Sequence, residues 1–138
     1  MKTLTGIAML CVLSLAGAAH VLAHGDGAPQ PVDTTGLKPL GEDWVAENPY
    51  RGDAKAIEIG ARGYNSNCAR CHGLDVKSGG MAPDLRAVEP TPDGGAWFVT
   101  RVRGGAPRGD AVKMPPFEGL LSQEAVWAIK SYVDAKPD

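Results

Sequence analysis

The run Cys68-Ala69-Arg70-Cys71-His72 constrains this chain more than any other stretch. C-x-x-C-H is the attachment signature of c-type haem. The spacing has a geometric reason. One helical turn presents two sulfurs to neighbouring vinyl groups of a porphyrin, and the next residue brings an imidazole beneath the metal. Two other chemistries use paired cysteines. A zinc site needs about four ligands, and once a leader segment is removed the chain offers only His24 beyond this motif and no further cysteine. A thioredoxin-like redox pair needs a βαβ setting, and few stretches here alternate with period two. The residues therefore support covalent haem, with thioethers at Cys68 and Cys71 and an iron ligand at His72.

The N-terminus fits such chemistry. Lys2, an apolar run from Ile7 to Ala19 and then Val21-Leu22-Ala23 read as a secretory signal peptide over residues 1–23, cleaved after Ala23. The run is too short to span a membrane, and no other apolar stretch approaches its length. Cys11 lies inside it and is lost on processing. A periplasmic location is expected, and residues 24–138 make one modest domain. The 14 Lys and Arg face 16 Asp and Glu, for a net charge of −2. Residues 24–50 carry one lysine against five acids, and residues 51–113 ten basic against seven acidic side chains. Nothing resembles a nucleic-acid footprint. The mildly basic middle reads either as a surface that steers a redox partner or as ordinary solvated charge.

Along the mature chain, Pro29, Pro31, Pro39 and Pro49 with five glycines mark residues 24–52 as an extended arm. Trp44, Val45 and Tyr50 are its apolar anchors. His24 becomes the new N-terminus, where an amine beside an imidazole can bind copper. Asp53 is the expected N-cap of a helix from Ala54 to about Tyr64, with Ile57, Ala61, Tyr64 and Cys68 on one face. Gly60 in mid-helix costs stability and points to a close helix crossing. Gly73 to Gly80 reads as a loop, and Pro90 to Gly95 as another. A short helix from Ala96 to Arg103 is stopped by Gly104-Gly105, and residues 104–121 read as irregular. Ser122 caps the last helix, with Glu124 in its first turn and an apolar stripe of Val126, Ile129, Tyr132 and Val133. The expected fold is all-α, short helices wrapped around one haem.

An iron held by His72 needs a sixth ligand or an open position. The candidates are His24, Met81, Met114, a lysine or water. Met114 precedes Pro115-Pro116, which biases it to an extended backbone and stiffens the loop, so it is favoured to present its thioether opposite His72. Met81 follows His72 by only nine residues, in the stretch expected to pass the histidine side. The carbonyl of Pro83 can accept Nδ1–H of His72 and fix its ring. Trp97 and Arg101, or Arg103, are candidates to hold propionates. His/Met ligation raises the potential and closes the iron to substrate. That favours electron transfer, with no catalytic residues, over a five-coordinate haem enzyme or gas sensor, which needs a distal His or Arg.

Cys68 to His72, Ala82-Pro83-Asp84-Leu85, Met114-Pro115-Pro116-Phe117 and a terminal amphipathic helix together resemble class I cytochromes c over roughly residues 53–135. In that family a glycine and an aromatic residue eight and four positions before the first haem cysteine cross a pair on the last helix. Gly60 and Tyr64, with Ile129 and Tyr132, occupy those places. The resemblance implies a cytochrome c domain over residues 53–138. More narrowly, the arm from His24-Gly25-Asp26 through Val32 to Leu37 and the run Asn67 to Leu74 resemble the small periplasmic cytochromes c that serve quinoprotein (PQQ-dependent) alcohol dehydrogenases. That likeness implies single-electron transfer from the reduced quinone cofactor towards a terminal oxidase, with the arm as a docking element. A haem subunit bound permanently within a dehydrogenase complex would explain the arm equally well. The carrier is expected to be a monomer.

Overall fold

The computed structural model describes residues 28–108 and 111–136. The expected signal segment and His24 lie outside them. Four helices make the frame: α1 (Ala54–Asn67), α2 (Ala69–His72), α3 (Pro92–Gly104) and α4 (Gln123–Asp134). Single 3₁₀ turns at Leu74–Val76 and Leu85–Ala87 join α2 to α3.

The crossing of α1 and α4 organises the fold. Gly60 lies so close to α4 that a Cβ there would meet the Ala128 carbonyl oxygen at 1.9 Å. One turn on, Gly63 lies against Ile129, and the rings of Tyr64 and Tyr132 pack with centroids 5.3 Å apart. The glycines let the helix backbones touch, which explains the helix cost at residue 60. Asp53 caps α1 by accepting the Ala56 N–H at 2.8 Å. The helix runs three residues past its expected end, because Asn65-Ser66-Asn67 contains no breaker and Cys68 N–H still bonds Tyr64 O at 2.7 Å. Its buried face is also turned from the expected stripe. Ala56, Ile59, Gly60, Gly63 and Tyr64 are buried, while Ile57, Ala61 and Cys68 are only half-buried.

Two stretches expected to be loops are ordered. The Pro90–Gly95 stretch yields the first turn of α3: Thr91 caps it, its hydroxyl accepting Gly94 N–H at 3.1 Å, and Pro92 takes the position where a missing N–H costs nothing. Gly95 then lets α3 lie against the Trp127 ring, 3.2 Å from where a Cβ would stand. Within residues 104–121, β1 (Ala106–Arg108) and β2 (Ala111–Met114) form an antiparallel ribbon, with a register shift between Ala106 and Pro107. This ribbon is the one departure from an all-helical fold among the described residues.

The described arm, residues 28–52, runs over α1 and α4. Gln30 and Asn67 bond each other twice. Leu40 N–H donates to Glu124 at 2.9 Å, and Asn48 donates to Ser131 Oγ at 3.0 Å. Gln123 donates to the carbonyls of Gly41 and Asp43 and accepts Val45 N–H. Tyr50 is buried, and Trp44 and Val45 pack against the core as the sequence suggested. With the arm on one side and α1 on the other, Ala125 to Val133 of α4 is buried all round rather than along a stripe. That includes Lys130, whose ammonium pairs with Asp134.

Candidate haem site

α2 is the single turn that carries the motif. Cys68 closes α1 and opens α2, and the N–H of His72 bonds Cys68 O at 2.9 Å. Both thiols therefore sit on one turn, each half-buried, and neither is in a disulfide. Desolvation, with Cys71 beside it, pushes the Cys68 thiol up to about 12. The Cys68 thiol is thus neutral at physiological pH.

His72 is buried at the end of the turn, with Nδ1 2.9 Å from the Pro83 carbonyl oxygen. A carbonyl oxygen can only accept, so this contact places the proton on Nδ1 and leaves Nε2 as the basic nitrogen. The Pro83 loop is itself held. Asp84 caps the turn at Leu85–Ala87, accepting Arg86 N–H at 3.0 Å and pairing with the guanidinium, which keeps its carboxyl well below the usual range. Lys130 Nζ lies 3.5 and 3.4 Å from the carbonyls of Val88 and Glu89. On the other flank of α2, Tyr64 donates its hydroxyl to Gly73 O at 2.8 Å. The next residues turn sharply, with Asp75 and Val76 at φ +54 and +64. Left-handed backbone is uncommon for a β-branched residue; full burial of Val76 and an ion pair from Lys136 to Asp75 hold it.

Met114 ends β2 and is half-buried against the core. Its carbonyl and the two following prolines lie against Gly105, where a Cβ would meet Met114 O at 2.5 Å; the φ of +71 there also favours glycine. Beyond the prolines, Phe117 N–H bonds Val102 O at 3.0 Å and Glu118 N–H bonds Arg103 O at 3.3 Å. Met81, by contrast, is 70% exposed, so of the two methionines only Met114 is seated in the protein.

The remaining candidates divide. Pro83 and Trp97 line one cleft of about 600 Å³ together with Asp84, Glu89 and Asp93. Its carboxylates repel a propionate, and beside it the guanidinium of Arg101 lies 5.6 Å from the Trp97 ring centre. Arg103 is committed elsewhere, to Glu118 and to the face of Trp44 at 4.5 Å. The role of Gln123 in pinning the arm gave no signal in the sequence, since a glutamine in a first helical turn is ordinary.

The donor set fits a c-type haem: two thiols on one turn, an imidazole with its basic nitrogen oriented, and a seated thioether. Fold and turn together define a c-type cytochrome, an electron-transfer protein. The chain belongs to the cytochrome c family: residues 55–133 match the family described as cytochrome c oxidase, cbb3-type, subunit III. It is 54% identical over 138 residues to cytochrome c550 of Pseudomonas aeruginosa, covering 97% of this chain and 94% of that protein. It is also 38% identical over 82 residues to the quinohemoprotein alcohol dehydrogenase ADH-IIG of Pseudomonas putida, covering 59% of this chain but only 11% of the enzyme. Among solved structures, cytochrome CL of Methylophaga aminisulfidivorans MPT shares the fold, with a TM-score of 0.52 and 24% identity over 75% of this chain and 73% of that one. The resemblance read from the motifs agrees with these findings. Among the described residues no helix is long and apolar enough to cross a membrane.

Proposed function

We propose that the chain carries one haem c, which Cys68 and Cys71 would bind covalently and whose iron His72 and Met114 would hold, and works in the periplasm as a single-electron carrier. When bound, haem c supplies a one-electron Fe(III)/Fe(II) couple. The protein does the rest. The α2 turn aligns both thiols, the Pro83 carbonyl orients His72, and the Gly105-backed loop presents Met114. Trp97 and Arg101 are assigned to the propionate end. The observation that carries the reading is the contrast between a seated Met114 and an exposed Met81.

Met114→Ala tests it. The variant is expected to lose the weak red absorption band of a thioether on ferric haem and, once reduced, to bind carbon monoxide readily. A spectrum like the wild type's would overturn the ligand assignment. Mass spectrometry of the purified protein counts the haems, with one expected.

The likeness to part of a quinohemoprotein alcohol dehydrogenase supports a PQQ-dependent alcohol dehydrogenase as electron donor and an oxidase or another cytochrome as acceptor. Stopped-flow mixing with a reduced quinoprotein alcohol dehydrogenase is expected to reduce the protein in one exponential phase, and no reduction on that timescale would remove this donor. Because the matching segment lies inside a larger enzyme, a permanently bound haem subunit is the second reading. Co-purification that survives high salt supports the subunit, and loss at modest salt supports the carrier.

A further inference from the structure

The Met114 loop is fastened by residues that no axial-ligand role requires. Arg103, in the last turn of α3, makes a two-pronged pair with Glu118: Nε bonds one carboxylate oxygen, and a terminal nitrogen lies 3.0 Å from the other. Glu118 is four residues beyond Met114, and Pro115, Pro116 and the buried Phe117 stiffen the stretch between them. On its other face the Arg103 guanidinium lies 4.5 Å from the centre of the Trp44 ring. Trp44 belongs to the arm, at the place where Gln123 grips the backbone on both sides of it, at Asp43 and Val45. Parallel N–H···O bonds fix the orientation of a carboxylate, and stacking on an aromatic face fixes the guanidinium plane. The line of contact therefore runs from α4 through the arm to Arg103, and from there into the ligand loop.

We propose that Arg103, held between Trp44 and Glu118, is a positioning residue for Met114: this latch sets how often the loop swings away and leaves the sixth coordination position open. The inference rests on Met114 being the axial ligand. It gives the arm a role inside its own molecule, distinct from docking on a dehydrogenase.

Two measurements on the haem-loaded protein test it. The first is affinity of the oxidised protein for imidazole, which competes with Met114 for the iron. The second is native-state hydrogen exchange at the Phe117 and Glu118 amides, which reads loop opening without any added ligand. Arg103→Gln and Trp44→Leu are each expected to tighten imidazole binding about fivefold. Exchange at the two amides should speed up by a similar factor, with the α1 and α4 amides unchanged. Arg103→Lys keeps the charge without the fork and should fall between wild type and Arg103→Gln. Glu118→Gln, nearly isosteric, keeps the test open where a larger change fails to fold. Unchanged imidazole affinity and amide exchange in Trp44→Leu and Glu118→Gln would overturn the latch. Met114→Ala separates the two readings. If it leaves imidazole affinity unchanged, the ligand assignment fails; if it raises the affinity while the latch variants do not, only the latch fails.

Discussion

The loop that supports His72 is fastened from inside the molecule, whereas the loop that carries Met114 is fastened from its surface. Each is tied down by an ion pair, and the two pairs have opposite surroundings. Lys130 and Asp134 have side chains only 1% and 8% exposed, and the lysine also reaches the carbonyls of Val88 and Glu89 and the ring of Phe98. Arg103 and Glu118 are 38% and 54% exposed. A buried pair is hard to open, because either partner left alone is a desolvated charge. An exposed pair contributes little and is screened by salt. The histidine side is thus built to stay fixed and the methionine side to be adjustable.

Lys130→Met is expected to have the largest effect. It strands Asp134, whose Oδ2 already has no hydrogen-bond partner among the described residues, and should destabilise the protein by about 4 kcal/mol in denaturant unfolding. Changing both residues, to Lys130→Met with Asp134→Leu, should recover most of that loss. If the single variant is near neutral, the contrast between buried and exposed fastening fails.

Gln123→Ala comes next. It frees two arm carbonyls and one N–H, and should cost about 2 kcal/mol. It should also loosen Trp44, so that imidazole binding rises alongside the loss of stability. A stability loss without that rise would confine Gln123 to scaffolding.

Raising ionic strength to about 1 M should tighten imidazole binding about twofold in the wild type and not at all in Arg103→Gln. An equal response in both would place the salt-sensitive contact elsewhere.

The smallest effect is acid dependence on the histidine side. Hydrogen bonds from Arg86 hold Asp84 below its ordinary value near 4, so the unfolded chain binds its proton first. The stability this group contributes is complete above about pH 4 and declines as pH falls through the folded value. Asp84→Asn should flatten that part of the acid-unfolding curve, and an unchanged curve would remove Asp84 from the support of the Pro83 loop.

The same division explains what the sequence made legible. The histidine side is written locally. Cys68 to His72 fit one helical turn, Pro83 follows within a dozen residues, and Asp53 and Ser122 announce their helices because a cap bonds an amide three residues away. Gly60 was readable as a crossing, since a glycine in mid-helix needs a reason. The methionine side is assembled from distant parts. Trp44, Arg103 and Glu118 each have ordinary neighbours in sequence, and only the fold brings them together. Arg103 read as a propionate candidate because an arginine carries no mark of its partner. The first turn of α3 was hidden for another reason: Pro92, Gly94 and Gly95 look like loop punctuation, yet proline suits a first turn and Gly95 makes room for Trp127. Burial of Lys130 was invisible because helical periodicity assumes one solvated face, and the arm removes it.

The hydrogen bonds that lace the arm to α4 join residues 78, 83 and 84 positions apart, and this separation has a consequence in time. Long loops must close before such contacts form, so chains rich in them fold slowly. The core cannot be sealed until the last helix has emerged and docked between α1 and the arm. Throughout that interval the α2 turn belongs to an open chain, and its two thiols stay accessible. Delayed closure thereby keeps this turn open until α4 has docked.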